Sequence, residues 1–209
     1  MTTANGWTLI DFPRPWHFTE MDWNISIPST ANTSPFTGEV AQVVTWPGAD
    51  NWKVTVTIPP LDDDEARAWT SFLWNCAGGS TAFLIGNPLR RKPKGSVNTP
   101  ITVNGANPAM AGTLNLKGFR PSQPRVLVSG DLISANFRLY EVRDKFVSAD
   151  AGGNATVTIG PTLREALVDG MPVTTHDATG MFRLSKSVSP FSIDSNRHYG
   201  ISLPCVEAR

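Results

Sequence analysis

The residues of this chain that are best suited to catalysis or metal binding are three histidines and two cysteines. His17, His176 and His198 stand in no HExxH or HxH arrangement, and no nearby carboxylate completes a metal-binding spacing. If the chain used a nucleophile and a general base, the pair to consider would be Cys205 and His198. They lie seven residues apart in a segment that reads as one extended strand, which separates them along it or places them on opposite faces. We therefore expect no catalytic centre, no metal site and no cofactor, and we expect Cys76 to be a buried thiol.

The acidic run Asp62–Asp64 is the next candidate for metal chemistry, but its position predicts a helix start. Asp62 is suited to the N-cap, with Glu65 as its capping-box partner, and the alternating oxygen ligands of a calcium loop are missing. The pattern predicts one helix over about residues 62–77, ended by Gly78 and Gly79. Its apolar stripe consists of Ala66, Trp69, Phe72, Leu73 and Cys76.

Composition excludes several classes of function. The chain has 18 Lys and Arg residues against 18 Asp and Glu residues, so the basic excess that is typical of nucleic-acid binding is absent, and we expect no sequence-specific nucleic-acid partner. No apolar run approaches the roughly 20 residues of a membrane span, and the first residues do not form a signal peptide. We therefore expect synthesis in a cytoplasm and no membrane partner. A Gly-rich phosphate loop and a GxSxG elbow are also missing.

Outside the helix the chain reads as short strands. The clearest is WKVTVTI, which alternates apolar and polar residues and so predicts a half-buried antiparallel strand, whereas Pro28–Gly38 reads as a polar loop. We predict a mainly β fold, an antiparallel β-sandwich or barrel flanked by the one helix. Residues 1–97 would form a β domain with that helix, and residues 98–209 a second β-rich section, whose final strands are candidates to return to the first sheet. The strands predicted in the first section are Trp7–Asp11, Trp23–Ile27, Glu39–Trp46, Trp52–Ile58 and Thr81–Gly86.

Three exposed segments are candidates for binding other proteins, and the first of them is the N-terminal segment Met1–Pro15. The phrase NPLRRKPKGS alternates basic residues with Pro and Gly, which is typical of either a solvated loop or a loop that docks on a protein surface. Direct contact with nucleic acid is disfavoured because no aromatic residues interleave the charges. The polar segment Pro28–Gly38 is long enough to extend beyond a compact sheet. The candidate interface residues are Arg90, Arg91, Lys92, Lys94, Pro35 and Phe36.

Two longer phrases of the sequence each contain a series of short motifs. The first, over roughly residues 22–88, has an S-P-x-T-G turn, a strand ending at P-G-A, a strand W-x-V-x-V-x-x-P-P, a helix and an apolar strand. The second, over roughly residues 129–184, has a G-D-x-I step, A-D-A-x-G-x-A, P-x-L-R and a closing F-R-L. In this order the two phrases resemble the distal tail and tail-tip proteins of long-tailed (siphovirus-type) bacteriophages. The resemblance implies a subunit with a tail-tube-like β domain that forms a ring, expected to be a hexamer, between the tail tube and the tip or baseplate of the virion.

The same resemblance implies the partners and the absence of an active site. The partners would be further copies of the chain, the tail tube protein, and the tape-measure and tail hub or baseplate proteins. Two other functions stay open. A receptor- or glycan-binding module of the tail tip would need exposed Trp or Tyr side chains clustered in a groove. A cell-wall-degrading enzyme would depend on His198 or Cys205.

Overall fold

Over the residues that the structure describes, the chain is mainly β with one α-helix, as the sequence predicts. The structure, a computed structural model, describes residues 2–13, 17–46, 48–187, 191–194 and 198–209. The helix α1 is Asp63–Asn75, followed by a 3₁₀ turn at Ala77–Gly79. Along the described residues the strands are β1 (Thr2–Ala4), β2 (Trp7–Leu9), β3 (Glu20–Ser26), β4 (Ser29–Thr33), β5 (Val40–Thr45), β6 (Asn51–Leu61), β7 (Thr81–Gly86), β8 (Ile101–Val103), β9 (Thr113–Lys117), β10 (Leu127–Val128), β11 (Leu132–Ala135), β12 (Arg138–Val142), β13 (Phe146–Val147), β14 (Asn154–Gly160), β15 (Pro172–Thr174), β16 (Thr179–Leu184), β17 (Phe191–Ile193) and β18 (Tyr199–Glu207).

Contacts divide the chain into two compact units, each built from separate segments. The first unit comprises Met1–Asn24, Trp52–Gly86 and Thr179–Arg209. The second unit comprises Ile25–Asn51 and Asn87–Ala178. The boundary expected at residue 97 therefore falls inside the second unit, and the last strand, β18, pairs with β6 in the sheet of the first unit.

The first unit is built on one sheet with the strand order β1-β2-β7-β16-β18-β6-β3, and β17 adds to β18. The pairs β1–β2, β7–β16, β16–β18, β17–β18 and β6–β18 are antiparallel, whereas β2 and β7 run parallel. β7 lies between β2 and β16, which explains why its sequence TAFLIG is almost wholly apolar. The alternation predicted for WKVTVTI is confirmed in β6. The buried side chains of that strand are Trp52, Val54, Val56 and Ile58.

The helix begins where its capping signal predicts. The Asp62 carboxylate accepts a hydrogen bond from the Glu65 backbone N–H at 2.9 Å. Trp69 and Phe72 are buried, and the Phe72 ring lies 5.5 Å from that of Phe83 on β7, so the apolar stripe of the helix packs on the sheet.

The turn after the helix needs glycine at one position. Gly79 has φ +93°, and a Cβ atom there would lie 2.7 Å from the Leu184 carbonyl oxygen on β16. Any larger residue at Gly79 would push the turn away from the sheet, so this glycine has a packing role as well as a conformational one.

The second unit contains a closed barrel with the strand order β11-β12-β14-β9-β8-β15. Its interior is filled by apolar side chains from alternating strand positions. On β14 these are Ala155, Val157 and Ile159, and on the neighbouring β9 they are Leu114 and Leu116. The barrel is therefore a packed core that serves as a scaffold for the loops around it.

One prediction for this unit is wrong. Pro28–Gly38 is not a loop throughout, because Ser29–Thr33 forms β4 and pairs antiparallel with β5. Both faces of β4 are exposed, so its sequence does not alternate between apolar and polar residues. That alternation is the signal by which a strand is recognised in a sequence.

Candidate assembly interface

The candidate interface residues lie in two places within the second unit. Pro35 and Phe36 occupy the turn between β4 and β5, a ribbon that we call the hairpin arm (Ser29–Thr45). Arg90, Arg91, Lys92 and Lys94 lie in the segment between β7 and β8, which we call the basic loop (residues 87–100).

The hairpin arm is a two-stranded sheet with a well-defined tip. Among the described residues, β4 and β5 pair with each other and with no third strand. The Ser34 backbone N–H donates to the Glu39 carbonyl oxygen at 2.8 Å, and the Gly38 N–H donates to the Ser34 carbonyl oxygen at 2.9 Å. This turn holds Phe36 outward, and the Phe36 residue is 95% exposed. An isolated two-stranded hairpin has marginal stability in water, so this arm is suited to stabilisation by a partner.

Apolar side chains continue from the tip of the hairpin arm to its base. Ala31 pairs with Val43, and Thr33 pairs with Val40 beyond a register shift in the ribbon. Exposed apolar groups that line up in this way mark binding surfaces more often than isolated ones do. The exposed large apolar residues of this region are Ile25, Ile27, Phe36, Val40, Val43 and Trp46.

The base of the hairpin arm is held by an ion pair that no local sequence pattern indicates. The Asp50 carboxylate accepts hydrogen bonds from the Thr162 backbone N–H and hydroxyl, each at 2.7 Å. Arg164 lies 3.3 Å from the same carboxylate and also donates to the Gly48 carbonyl oxygen at 3.1 Å. Burial by itself raises the pKa of Asp50, but the hydrogen bonds from Thr162 and the charge of Arg164 outweigh it and hold the pKa below its usual value.

The basic loop is fixed to the second unit by carboxylates. Arg90 pairs with Glu141 at 3.0 Å, and Arg91 pairs with Asp177 at 2.5 Å. The hydrogen bond from Arg91 lowers the pKa of Asp177, and the Asp177 backbone N–H donates in return to the Arg91 carbonyl oxygen. Both arginines are therefore partly neutralised. Exposure of the loop is confirmed, but the loop is anchored to the barrel.

Asp131 is a buried residue that the sequence reasoning missed. Its carboxylate accepts hydrogen bonds from the backbone N–H groups of Lys94, Gly95 and Val128 at 2.7, 3.1 and 2.9 Å. A carboxylate placed on three amides fixes the backbone of the basic loop without using any lysine side chain. The G-D step at residue 130 is the signal that could have drawn attention to it.

A cavity of about 310 Å³ lies beside the basic loop, and we call it the basic pocket. It brings together three of the four predicted basic residues, with Ser129 and Gly130 at one side. Arg91 points instead to Asp177. Among the described residues, neither Lys92 nor Lys94 has a carboxylate within ion-pair distance of its ammonium group. The residues lining the basic pocket are Leu89, Arg90, Lys92, Lys94, Ser129, Gly130 and Asp131.

The histidines and cysteines considered for catalysis lie apart. Cys205 is buried within β18, whereas His198 is exposed and precedes that strand, so seven extended residues separate them by roughly 20 Å. Burial raises the pKa of the Cys76 thiol to about 12, and burial together with the neighbouring Cys76 raises the pKa of Cys205 further. Both cysteines are free thiols and are protonated at neutral pH. The His176 ring nitrogen Nδ1 lies 3.1 Å from the Thr175 hydroxyl.

Over the part of the chain that the structure describes, no group of three or more His, Cys, Asp or Glu residues is placed to hold a metal ion. In the same residues, the one α-helix is too short and too polar to cross a bilayer. Comparison with known proteins finds no family model and no curated protein that matches the chain.

Proposed function

We propose that this protein is a structural subunit of a bacteriophage tail tip, a distal tail protein that assembles with copies of itself into a ring joining the tail tube to the distal tip or baseplate. The observation that carries the assembly role is the hairpin arm, which exposes Phe36 at its tip and apolar side chains along its length. The phage context rests on the two sequence phrases described above. The proposal includes no enzymatic activity.

The energetics of the hairpin arm favour a bound state. Burying a large aliphatic or aromatic side chain contributes about 1.5–3 kcal/mol, and Phe36, Val40 and Val43 are all largely exposed. The chain at the base of the arm is fixed by Asp50, whereas β4 and β5 themselves pair only with each other among the described residues.

A ring follows when the arm of each copy binds a different surface on the next copy. Such a heterologous contact closes when the rotation between copies divides the circle evenly, and sixfold closure is what the resemblance implies. Permanent contacts of this type usually bury more than about 2,000 Å². The other proposed partners are the tail tube, tape-measure and hub or baseplate proteins, and the proposed location is the tail tip of the virion.

The test is the native mass of the purified full chain, followed by negative-stain images of any large species. We expect a closed ring whose assembly is lost in a variant that carries Phe36→Ser, Val40→Thr and Val43→Thr. The control variant Asn32→Ser and Gln42→Thr changes a cross-strand pair of the same arm, and it should assemble like the wild type. A wild-type chain that remains monomeric at about 100 μM, or a triple variant that still assembles, would contradict the assembly role.

The phage assignment needs a separate measurement. Antibody raised against the chain should label the tail tip of intact virions, and label elsewhere on the particle would contradict the proposed location. The alternative function is a receptor- or glycan-binding module. Trp74, which is 85% exposed on the helix, and the exposed Trp46 are the side chains that favour it, because indole rings stack on sugars. Binding on a glycan array that is lost in the Trp74→Ala variant would support this alternative.

A further inference from the structure

The basic pocket has the chemistry of a site for carboxylates. Lys92 and Lys94 place two ammonium groups beside it with no carboxylate paired to either among the described residues. The one carboxylate in its lining, Asp131, already accepts three backbone hydrogen bonds. The third cation, Arg90, is oriented by its ion pair with Glu141. The pocket therefore presents two lysines that have no carboxylate within ion-pair distance among the described residues, although Lys92 is near enough to Asp177 to interact with its charge.

The lining of the pocket favours a protein segment over a small ion. Leu89 stands at the rim and is 94% exposed, so an occupant that covers it gains apolar burial as well as charge pairing. The segment that fits best carries several carboxylates with apolar atoms beside them.

The chain itself carries such a segment at the start of its helix. Asp62, Asp63, Asp64 and Glu65 are consecutive and all exposed, and Pro60 just before them is exposed too. Asp63 is paired with Arg67 at 2.6 Å, whereas Asp64 and Glu65 have no ion pair among the described residues. The cap at Asp62 fixes the backbone of this turn, so its carboxylates are presented on a rigid element.

The two units of the chain also differ in the sign of their net charge. The formal net charge is zero, but the first unit has seven Lys and Arg residues against nine Asp and Glu residues, and the second unit has eleven against nine. Opposite charge on two units of one chain favours head-to-tail association of copies, and it disfavours contacts between like units.

We propose that the basic pocket of one copy binds the acidic helix start of a second copy, with Lys92 and Lys94 facing Asp64 and Glu65. This inference deepens the proposed function and rests on it, because ring assembly supplies the neighbouring copy. It adds an electrostatic contact that sets the head-to-tail direction, separate from the apolar contact of the hairpin arm.

The test uses two variants of the full chain. In each variant the proposed contact between two copies of that variant is repulsive. The acid-reversed variant is Asp64→Lys with Glu65→Lys, and the base-reversed variant is Lys92→Glu with Lys94→Glu. Each variant alone places like charges together at every contact, so we expect its dissociation constant for self-association to rise by about tenfold or more. Mixed in equal amounts, the two variants restore opposite charges at every contact of an alternating ring, so assembly should return toward the wild-type level.

A matched control is Arg120→Glu with Lys145→Glu, which makes the same change of charge on exposed residues of the same unit but away from the pocket lining. It should assemble like the wild type, and it should not rescue the acid-reversed variant. Far-ultraviolet circular dichroism and thermal melts check that each variant folds. If the acid-reversed variant fails to fold, Asp64→Lys alone replaces it.

The outcomes separate the two proposals. Recovery of assembly in the mixture, measured by native mass, supports the contact. If the wild type assembles and the single variants assemble equally well, or if their mixture shows no recovery, the contact is refuted while the ring proposal stands. If the wild type does not assemble, the ring proposal and this inference both fail.

Discussion

Replacing Asp50 with alanine should destabilise the second unit more than any other single change at the base of the hairpin arm. The substitution removes the acceptor for the two Thr162 hydrogen bonds and for Arg164. The Arg164 side chain is 7% exposed and the Asp50 side chain 19% exposed, so the guanidinium would be left buried without its carboxylate. Breaking a buried ion pair by removing one partner costs about 3–5 kcal/mol. Because Arg164 keeps its hydrogen bond to the Gly48 carbonyl oxygen, we expect a loss of about 3 kcal/mol at pH 7.

The same carboxylate predicts a dependence on pH with a definite sign. The folded-state pKa of Asp50 lies below 3.8, because the hydrogen bonds from Thr162 and the charge of Arg164 outweigh the effect of burial. Its contribution to stability is therefore fully present above pH 3.8 and is lost as the pH falls through the lower folded-state value. Asp50→Asn keeps the shape of the side chain without the charge. The difference in unfolding free energy between wild type and this variant should be largest near neutral pH and should shrink below pH 3.8.

The assay is urea unfolding of the full chain at several pH values between 2 and 7, with hydrogen exchange of the Thr162 amide as a local probe. Glu39→Ala, an exposed carboxylate in the same unit, serves as the control and should change stability by no more than about 0.5 kcal/mol. A cost below about 1 kcal/mol for Asp50→Ala at pH 7, or a difference between wild type and Asp50→Asn that does not change with pH, would refute the assignment of this ion pair as the anchor.

Two further predictions concern the first unit. Trp69→Ala should lower the free energy of unfolding by about 3–5 kcal/mol in a denaturant titration, because it leaves a cavity between the helix and the sheet, whereas the exposed Trp74→Ala should change it by less than about 0.5 kcal/mol. Equal effects of the two substitutions would show that the buried face is misassigned. Cys76 and Cys205 should not react with a thiol reagent at pH 8 in the folded protein, because both are buried and protonated, and both should react in denaturant. Rapid labelling of the native protein would contradict their burial.

The elements that could be predicted from the sequence are those whose signals are local. The helix start is specified by Asp62 and Glu65, three residues apart, and the helix face by Trp69 and Phe72. The strand β6 is specified by the alternation in WKVTVTI. In each case the spacing of apolar residues reflects which side of the element is buried, so that side can be predicted from the sequence. The residues of β4 are exposed on both faces of the strand, so the sequence of β4 has no such pattern and reads as a loop.

Only some residues of the proposed interface stand out in the sequence. Phe36 and the basic residues could be singled out because a lone aromatic in a polar turn and a run of cations between prolines stand out from their neighbours. That three of the four cations line one cavity, while Arg91 is directed to Asp177, depends on folding, because Asp177 lies 86 residues along the chain from Arg91.

Local signals in the sequence are sufficient to specify the mainly β class, the capped helix and the solvent-exposed segments, since these follow from propensity, capping and periodicity within a few residues. Which carboxylates hold those segments in place depends on the tertiary fold. Asp50 meets Arg164 across 114 residues of sequence, and Asp131 meets the amide of Lys94 across 37. A carboxylate has no local preference among distant donors, so its partner is settled when the closed barrel and its loops bring those donors within hydrogen-bonding distance.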